Sequence, residues 1–163
     1  MHGKILIIDP IATNRIVLKV KLSAAHYDVH QAKTIQQALE TIVAEVPDVI
    51  MTAAELPDGS AVDLGAAVKR LIAGRDIPMI AIEHDNNYAR RLHLLAAGFD
   101  DVLSKPLDDT LTLARVRSLV RVSNSASEWR MRDDTSRALG LAEGAALFER
   151  TPCVTLISSD MIA

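Results

Sequence analysis

Residues 47–59, PDVIMTAAELPDG, read as a buried strand that runs straight into a tight turn. Val49, Ile50 and Met51 form a short apolar run, with Pro47 before it and the turn-forming Pro57, Asp58 and Gly59 after it. A continuous run of this kind suits a central parallel strand covered on both faces. In open α/β sheets, ligands and chemistry collect at the carboxyl ends of such strands. Thr52, Ala53, Ala54 and Glu55 occupy that end, so function is sought among them and their spatial neighbours.

Working outward, Lys4–Ile8, KILII, is another uninterrupted apolar strand, terminated by Asp9 and Pro10. Thr13 or Asn14 suits the cap of a helix reaching about residue 25, with Ile16, Val17, Val20 and Ala24 at helical spacing. Tyr27 to His30 is a short strand. Thr34 with Gln37 makes a capping-box pattern that opens a helix through Ala38, Leu39, Ile42 and Val43. After the strand at 47–51 comes a helix over about 61–72, then a buried strand at 77–82, IPMIAI. Asp85 or Asn86 suits the cap of a helix to Ala97 that Gly98 ends, and Val102–Ser104 is a short fifth strand. Asp108 or Asp109 opens a last helix with Leu111, Val116, Leu119 and Val120 inward and Arg115, Arg117 and Arg121 outward.

Strand and helix alternate five times with short connections, which predicts a doubly wound, five-stranded parallel sheet with right-handed crossovers. The economical strand order is 2-1-3-4-5, as in flavodoxin-like folds. Residues 1–122 then form the domain and 123–151 a helical linker with Trp129 as a packing anchor. At 152–163, VTLI (Val154–Ile157) followed by Ser158, Ser159 and Asp160 echoes the opening strand, as if a second copy of the domain began there.

Composition narrows the function. Apolar residues make up 49% of the 163, enough for a real core, while aromatics at 3% leave little for stacking nucleic-acid bases. With 18 basic and 21 acidic residues intermixed, no net field draws the chain to nucleic acid or to a membrane surface. The start is too short in apolar residues for a signal peptide or span, so a cytoplasmic location is expected. Cys153 is the single cysteine, which excludes an internal disulfide and a cysteine-cluster zinc site. His2, His26, His30, His84 and His93 contain no HExxH arrangement and read as surface histidines.

Two segments carry a family resemblance. PDVIMTAAELPDGSAVDL (47–64) and AAGFDDVLSKPLDD (96–109) resemble the third strand with its loop, and the fifth strand with its lysine–proline turn, of bacterial response-regulator receiver domains. The resemblance covers Lys4 to about Val122 and implies a role in two-component signalling and phosphorelay. It also implies a crevice with two acids on the first strand, a phosphorylated aspartate on the third, a hydroxyl residue on the fourth and a lysine on the fifth. Asp9 matches the first acid and Lys105 the lysine. Pro10 stands for the second acid, Ala53 for the acceptor and Glu83 for the hydroxyl residue, while Val102 stands for an aromatic that reports phosphorylation. The implied reading is a pseudo-receiver: a degenerate pocket with no catalytic residue, metal or cofactor. The family also implies a cis peptide before Pro106. With Ala53 unable to carry charge, Glu83 is expected to pair with Lys105, and Asp9 to complete the polar cluster.

A narrower resemblance rests on Pro106 with the stretch that follows it, LDDTLTLARVRSLVRV (107–122), and on ALGLAEG (138–144). These are similar to the end of the first receiver, and the linker, in two-receiver diguanylate cyclase response regulators of the PleD type. That implies a second receiver and a cyclic di-GMP-making GGDEF domain outside these residues, with this chain a non-enzymatic front end. It also implies weak homodimerisation through Arg90, Arg91, Arg115, Arg117 and Arg121 facing Asp100, Asp101, Asp108 and Asp109. The alternatives are a flavodoxin-like domain binding a small ligand through Asp9, Glu83 and Lys105, or a receiver phosphorylated at a substitute acid, Asp58 or Asp63.

Overall fold

The computed structural model describes residues 2–138. In chain order the elements are β1 (Lys4–Ile8), α1 (Ala12–Ala24), β2 (Asp28–Ala32), α2 (Ile35–Ala44), β3 (Val49–Ala53), β4 (Glu55–Leu56), β5 (Gly59–Ser60), α3 (Ala61–Arg70), β6 (Met79–Glu83), α4 (Tyr88–Ala96), β7 (Asp101–Ser104) and α5 (Asp109–Ala138). The apolar runs become the strands of one five-stranded sheet, ordered β2-β1-β3-β6-β7, with every neighbouring pair parallel. Setting aside the small antiparallel β4–β5 ribbon, this is the flavodoxin-like order that the alternation predicts.

Side chains alternate across a strand, so each strand feeds two cores. Leu6, Ile8, Ile50 and Ala81 pack with Ala38 and Ile42 of α2, Leu64 and Val68 of α3, and Leu94 of α4. Ile5, Ile7, Met51, Ile80 and Ile82 pack with Leu18 and Leu22 of α1 and Val116 and Val120 of α5. The register Ile8↔Thr52, Ala53↔Ile82 and Glu83↔Ser104 brings the carboxyl ends of β1, β3, β6 and β7 to one edge of the sheet.

Several expected helix faces and caps are corrected. The inward face of α1 is Arg15, Leu18 and Leu22, while Ile16 is 57% and Val20 64% exposed. The cause is an earlier start: neither Thr13 nor Asn14 caps the helix, and the Asp9 carboxylate instead accepts the Ile11 N–H at 2.8 Å. In α2 and α5, Val43 and Leu111 face outward, and Thr112 takes the buried position beside Leu111. Asn87, not Asp85 or Asn86, caps α4 by accepting from the Arg90 N–H at 3.2 Å. Asp108 accepts the Leu111 N–H at 2.8 Å at the head of α5.

Thr34 caps α2 as its pattern predicts, but the Gln37 side chain reaches back to the Lys33 N–H, one residue before the expected target. The complete reciprocal box lies elsewhere, between Ser60 and Asp63 at the head of α3.

The chain divides into two units, residues 1–124 and 125–163. α5 passes Ser123–Ser125 without a break, so the expected boundary at 122 falls inside a helix. In the second unit the described residues are the end of this helix. Trp129, the expected packing anchor, is 70% exposed there, and among the described residues its ring meets the Arg132 guanidinium at 5.9 Å. The strand read at 154–157 and the boundary at 151 lie outside the described residues. Among the described residues no helix is long and apolar enough to cross a membrane.

Candidate functional site

The crevice forms where the four parallel strands end. Asp9 follows β1, and its carboxylate is already engaged: one oxygen accepts from the Ile11 N–H at 2.8 Å and the other from the Asn14 amide at 3.1 Å. Such an Asx turn fixes the loop that leads into α1. Beneath it, the buried Arg15 donates to the Asp9 carbonyl at 2.6 Å. Pro10 is exposed beside this turn. Ala53 ends β3 and presents a methyl group, with the Thr52 hydroxyl donating to the Ala53 carbonyl at 3.0 Å.

Glu83 ends β6 and is buried. Its carboxylate lies 3.9 Å from the guanidinium of Arg90 on the first turn of α4. Lys105 follows β7, is half-buried, and precedes a cis peptide to Pro106. The expected Glu83–Lys105 pair does not form, and neither does a Lys105–Asp9 pair: among the described residues the Lys105 ammonium has no carboxylate within ion-pair distance. The physical reason is direction. Glu83 lines a cleft with Ala53, Ala54 and Arg90, whereas Lys105 lines a separate groove with Asn14, Val17 and Leu107; Asp9 borders both.

The residues expected to mediate dimerisation are largely engaged within the chain. Asp101 meets Arg115 at 3.2 Å and Arg91 at 3.8 Å. Asp100 accepts the Met79 N–H at 2.8 Å, Asp108 serves α5 as described, and Asp109 meets Lys21 at 2.5 Å. Arg117 and Arg121 are exposed on α5. Val102 is buried among the α2–α4 core residues.

The substitute acids are also occupied. Asp58 accepts the Ile35 N–H at 2.9 Å and the Gln36 N–H at 3.2 Å, and the first of these bonds is the main cause that holds its carboxyl below the usual range. Asp63 is the acid of the Ser60 box. Sequence reasoning missed Arg15 and read Asn14 only as a candidate helix cap. Arg15 carried one signal, its place in the 15-18-22 spacing, but an arginine is rarely assigned to an inward face.

The profile of the response regulator receiver domain matches residues 5–117. The chain belongs to this family. Over 146 residues this receiver is 33% identical to the response regulator PleD of Caulobacter vibrioides, covering 90% of this chain and 32% of that protein. Over 122 residues it is 34% identical to the phosphate regulon transcriptional regulatory protein PhoB of Pseudomonas aeruginosa, covering 74% of this chain and 53% of that one. It also superposes on a two-component response regulator from Clostridium difficile with a TM-score of 0.68 and 28% identity, covering 74% of this chain and 97% of that one. The chain thus spans about a third of PleD and about half of PhoB.

Receiver chemistry employs a magnesium ion, which asks for several oxygen ligands in near-octahedral array. In this receiver Asp9 supplies the one carboxylate just after β1, with both oxygens already accepting hydrogen bonds, while Pro10 and Ala53 supply none. Glu83 faces a guanidinium. The residues present do not fit that ion.

Proposed function

We propose that this receiver is a pseudo-receiver, a regulatory module that acts through its surfaces and not through phosphoryl transfer to its own crevice. The observation that carries this reading is the methyl group of Ala53 at the end of β3, where no oxygen is available to attack phosphorus. The prior engagement of Asp9, Asp58 and Asp63 supports it, since each carboxylate already accepts at least one backbone N–H.

The parent protein we infer is a diguanylate cyclase response regulator, with this chain as its front end. The similarity to PleD supports that placement, because its 146 aligned residues outrun the receiver span of 5–117. The partners are then a second copy of this chain, the second receiver and the GGDEF domain, in the cytoplasm. Self-association uses α4, β7 and α5 and is weak and salt-sensitive, because exposed ion pairs contribute roughly 0–1 kcal/mol each.

The test is incubation with acetyl phosphate and magnesium chloride, followed by intact-mass measurement. The expected result is an unmodified chain; a stoichiometric phosphoryl adduct that maps to any aspartate sinks the reading.

A further inference from the structure

At the amino-terminal edge of the sheet, opposite the crevice, three side chains from distant parts of the sequence meet. Asp28 and His30 lie two apart on β2, so they share a face of the strand. Glu45, the residue that ends α2, returns over that face. The His30 Nε2 atom lies 3.4 Å from one Glu45 oxygen and 3.6 Å from one Asp28 oxygen, and the three atoms all lie within 4.8 Å of one another. That nitrogen is closed off from solvent and has no hydrogen-bond partner among the described residues.

From this geometry we propose that Asp28, His30 and Glu45 form a binding site for a divalent transition ion of the zinc class. The spacing fits. Ligand atoms bound to tetrahedral zinc at about 2.0–2.1 Å stand about 3.3–3.4 Å apart. The two nitrogen–oxygen separations are already close to that value, and Asp28, on an exposed side chain, is free to close the third edge.

The charge fits as well. Two carboxylates and an imidazole face one ammonium, that of Lys4. Lys4 pairs with Glu45 through the oxygen that does not face His30. It therefore orients the carboxylate as an outer partner and leaves the inner oxygen for the ion. A mixed nitrogen and oxygen set favours zinc, nickel or copper over magnesium, which prefers oxygen alone. Three protein ligands leave a fourth position for water. The bound ion would tie edge strand β2 to the end of α2.

The test is calorimetric titration of zinc chloride into the full chain, with magnesium chloride as a parallel arm. Expected are one zinc per chain, a rise in melting temperature with zinc, and no comparable heat with magnesium. His30→Ala and Asp28→Asn are each expected to weaken zinc binding at least tenfold, with circular dichroism checking that both fold without metal. His2 and His26, whose rings lie 6.2 Å apart, and Cys153 are the rival donors. The His2→Ala/His26→Ala and Cys153→Ser variants are expected to keep wild-type affinity. Binding that survives His30→Ala, or that disappears in either rival variant, overturns the site, as does a wild-type chain that takes up no zinc.

Discussion

The backbones of Lys105 and Glu83 are joined while their side chains part: the Lys105 N–H donates to the Glu83 carbonyl at 2.9 Å, and the Glu83 carboxylate turns to Arg90. A buried carboxylate whose cationic partner is mostly exposed and 3.9 Å away gains little to offset its lost hydration. Glu83→Thr should therefore leave stability unchanged or raise it by up to about 1 kcal/mol in urea unfolding. A loss of about 3 kcal/mol or more would mean that Glu83 is held by a strong buried pair after all.

Rebuilding the acidic set is expected to rebuild the chemistry. The double variant Pro10→Asp/Ala53→Asp should bind magnesium, seen as saturable shifts in amide spectra, and should acquire a phosphoryl group from acetyl phosphate. Ala53→Asp alone should respond more weakly, because Pro10 leaves Asp9, already shared between Ile11 and Asn14, as the single acid at the end of β1. A double variant that stays silent to both reagents would place the obstacle in loop geometry instead of missing oxygens.

The corrected face of α1 is testable by contrast. Leu22 is fully buried, so Leu22→Ala should cost about 2–5 kcal/mol. Val20→Ala, on an exposed position, should change stability by no more than about 0.5 kcal/mol. Comparable losses at both sites would restore the expected Val17 and Val20 face.

Acid should act through Asp58. Its carboxyl is lowered from 3.8, chiefly by the Ile35 N–H bond, so the folded state holds the ionised form better than the unfolded state does. The stability it contributes is present above the unfolded value and is lost as pH falls through the folded one. Asp58→Asn should lower the melting temperature at pH 7, and the gap to wild type should shrink steadily below about pH 4. A gap independent of pH would show that ionisation is irrelevant there.

Much of this was legible in the amino acids and some was not. The sheet order follows from apolar runs, KILII and VIM among them, whose alternation with helices leaves few topologies open. Asp9, Ala53, Glu83 and Lys105 were placed correctly at strand ends because position along a strand is a one-dimensional property. Direction is not. That Glu83 turns to Arg90 depends on where the first turn of α4 lies, and its cap falls at Asn87, beyond the residues that looked suitable. The meeting of Asp28, His30 and Glu45 was equally hidden, since α2 must return over β2 before Glu45 reaches the histidine.

The turn after β3 is held at its apex and at its exit. Asp58 fastens its apex to the first turn of α2, and the Ser60–Asp63 box fastens its exit to α3. A switch needs two arrangements of nearly equal free energy, so that a small input changes which is populated. Here a second arrangement would have to release the start of one helix and the cap of another together. An engineer who returns acids to positions 10 and 53 is thus expected to obtain a protein that takes up phosphate without answering to it, until Asp58 is also released. On the pseudo-receiver reading proposed above, accepting a signal and responding to one are separate design problems in this chain.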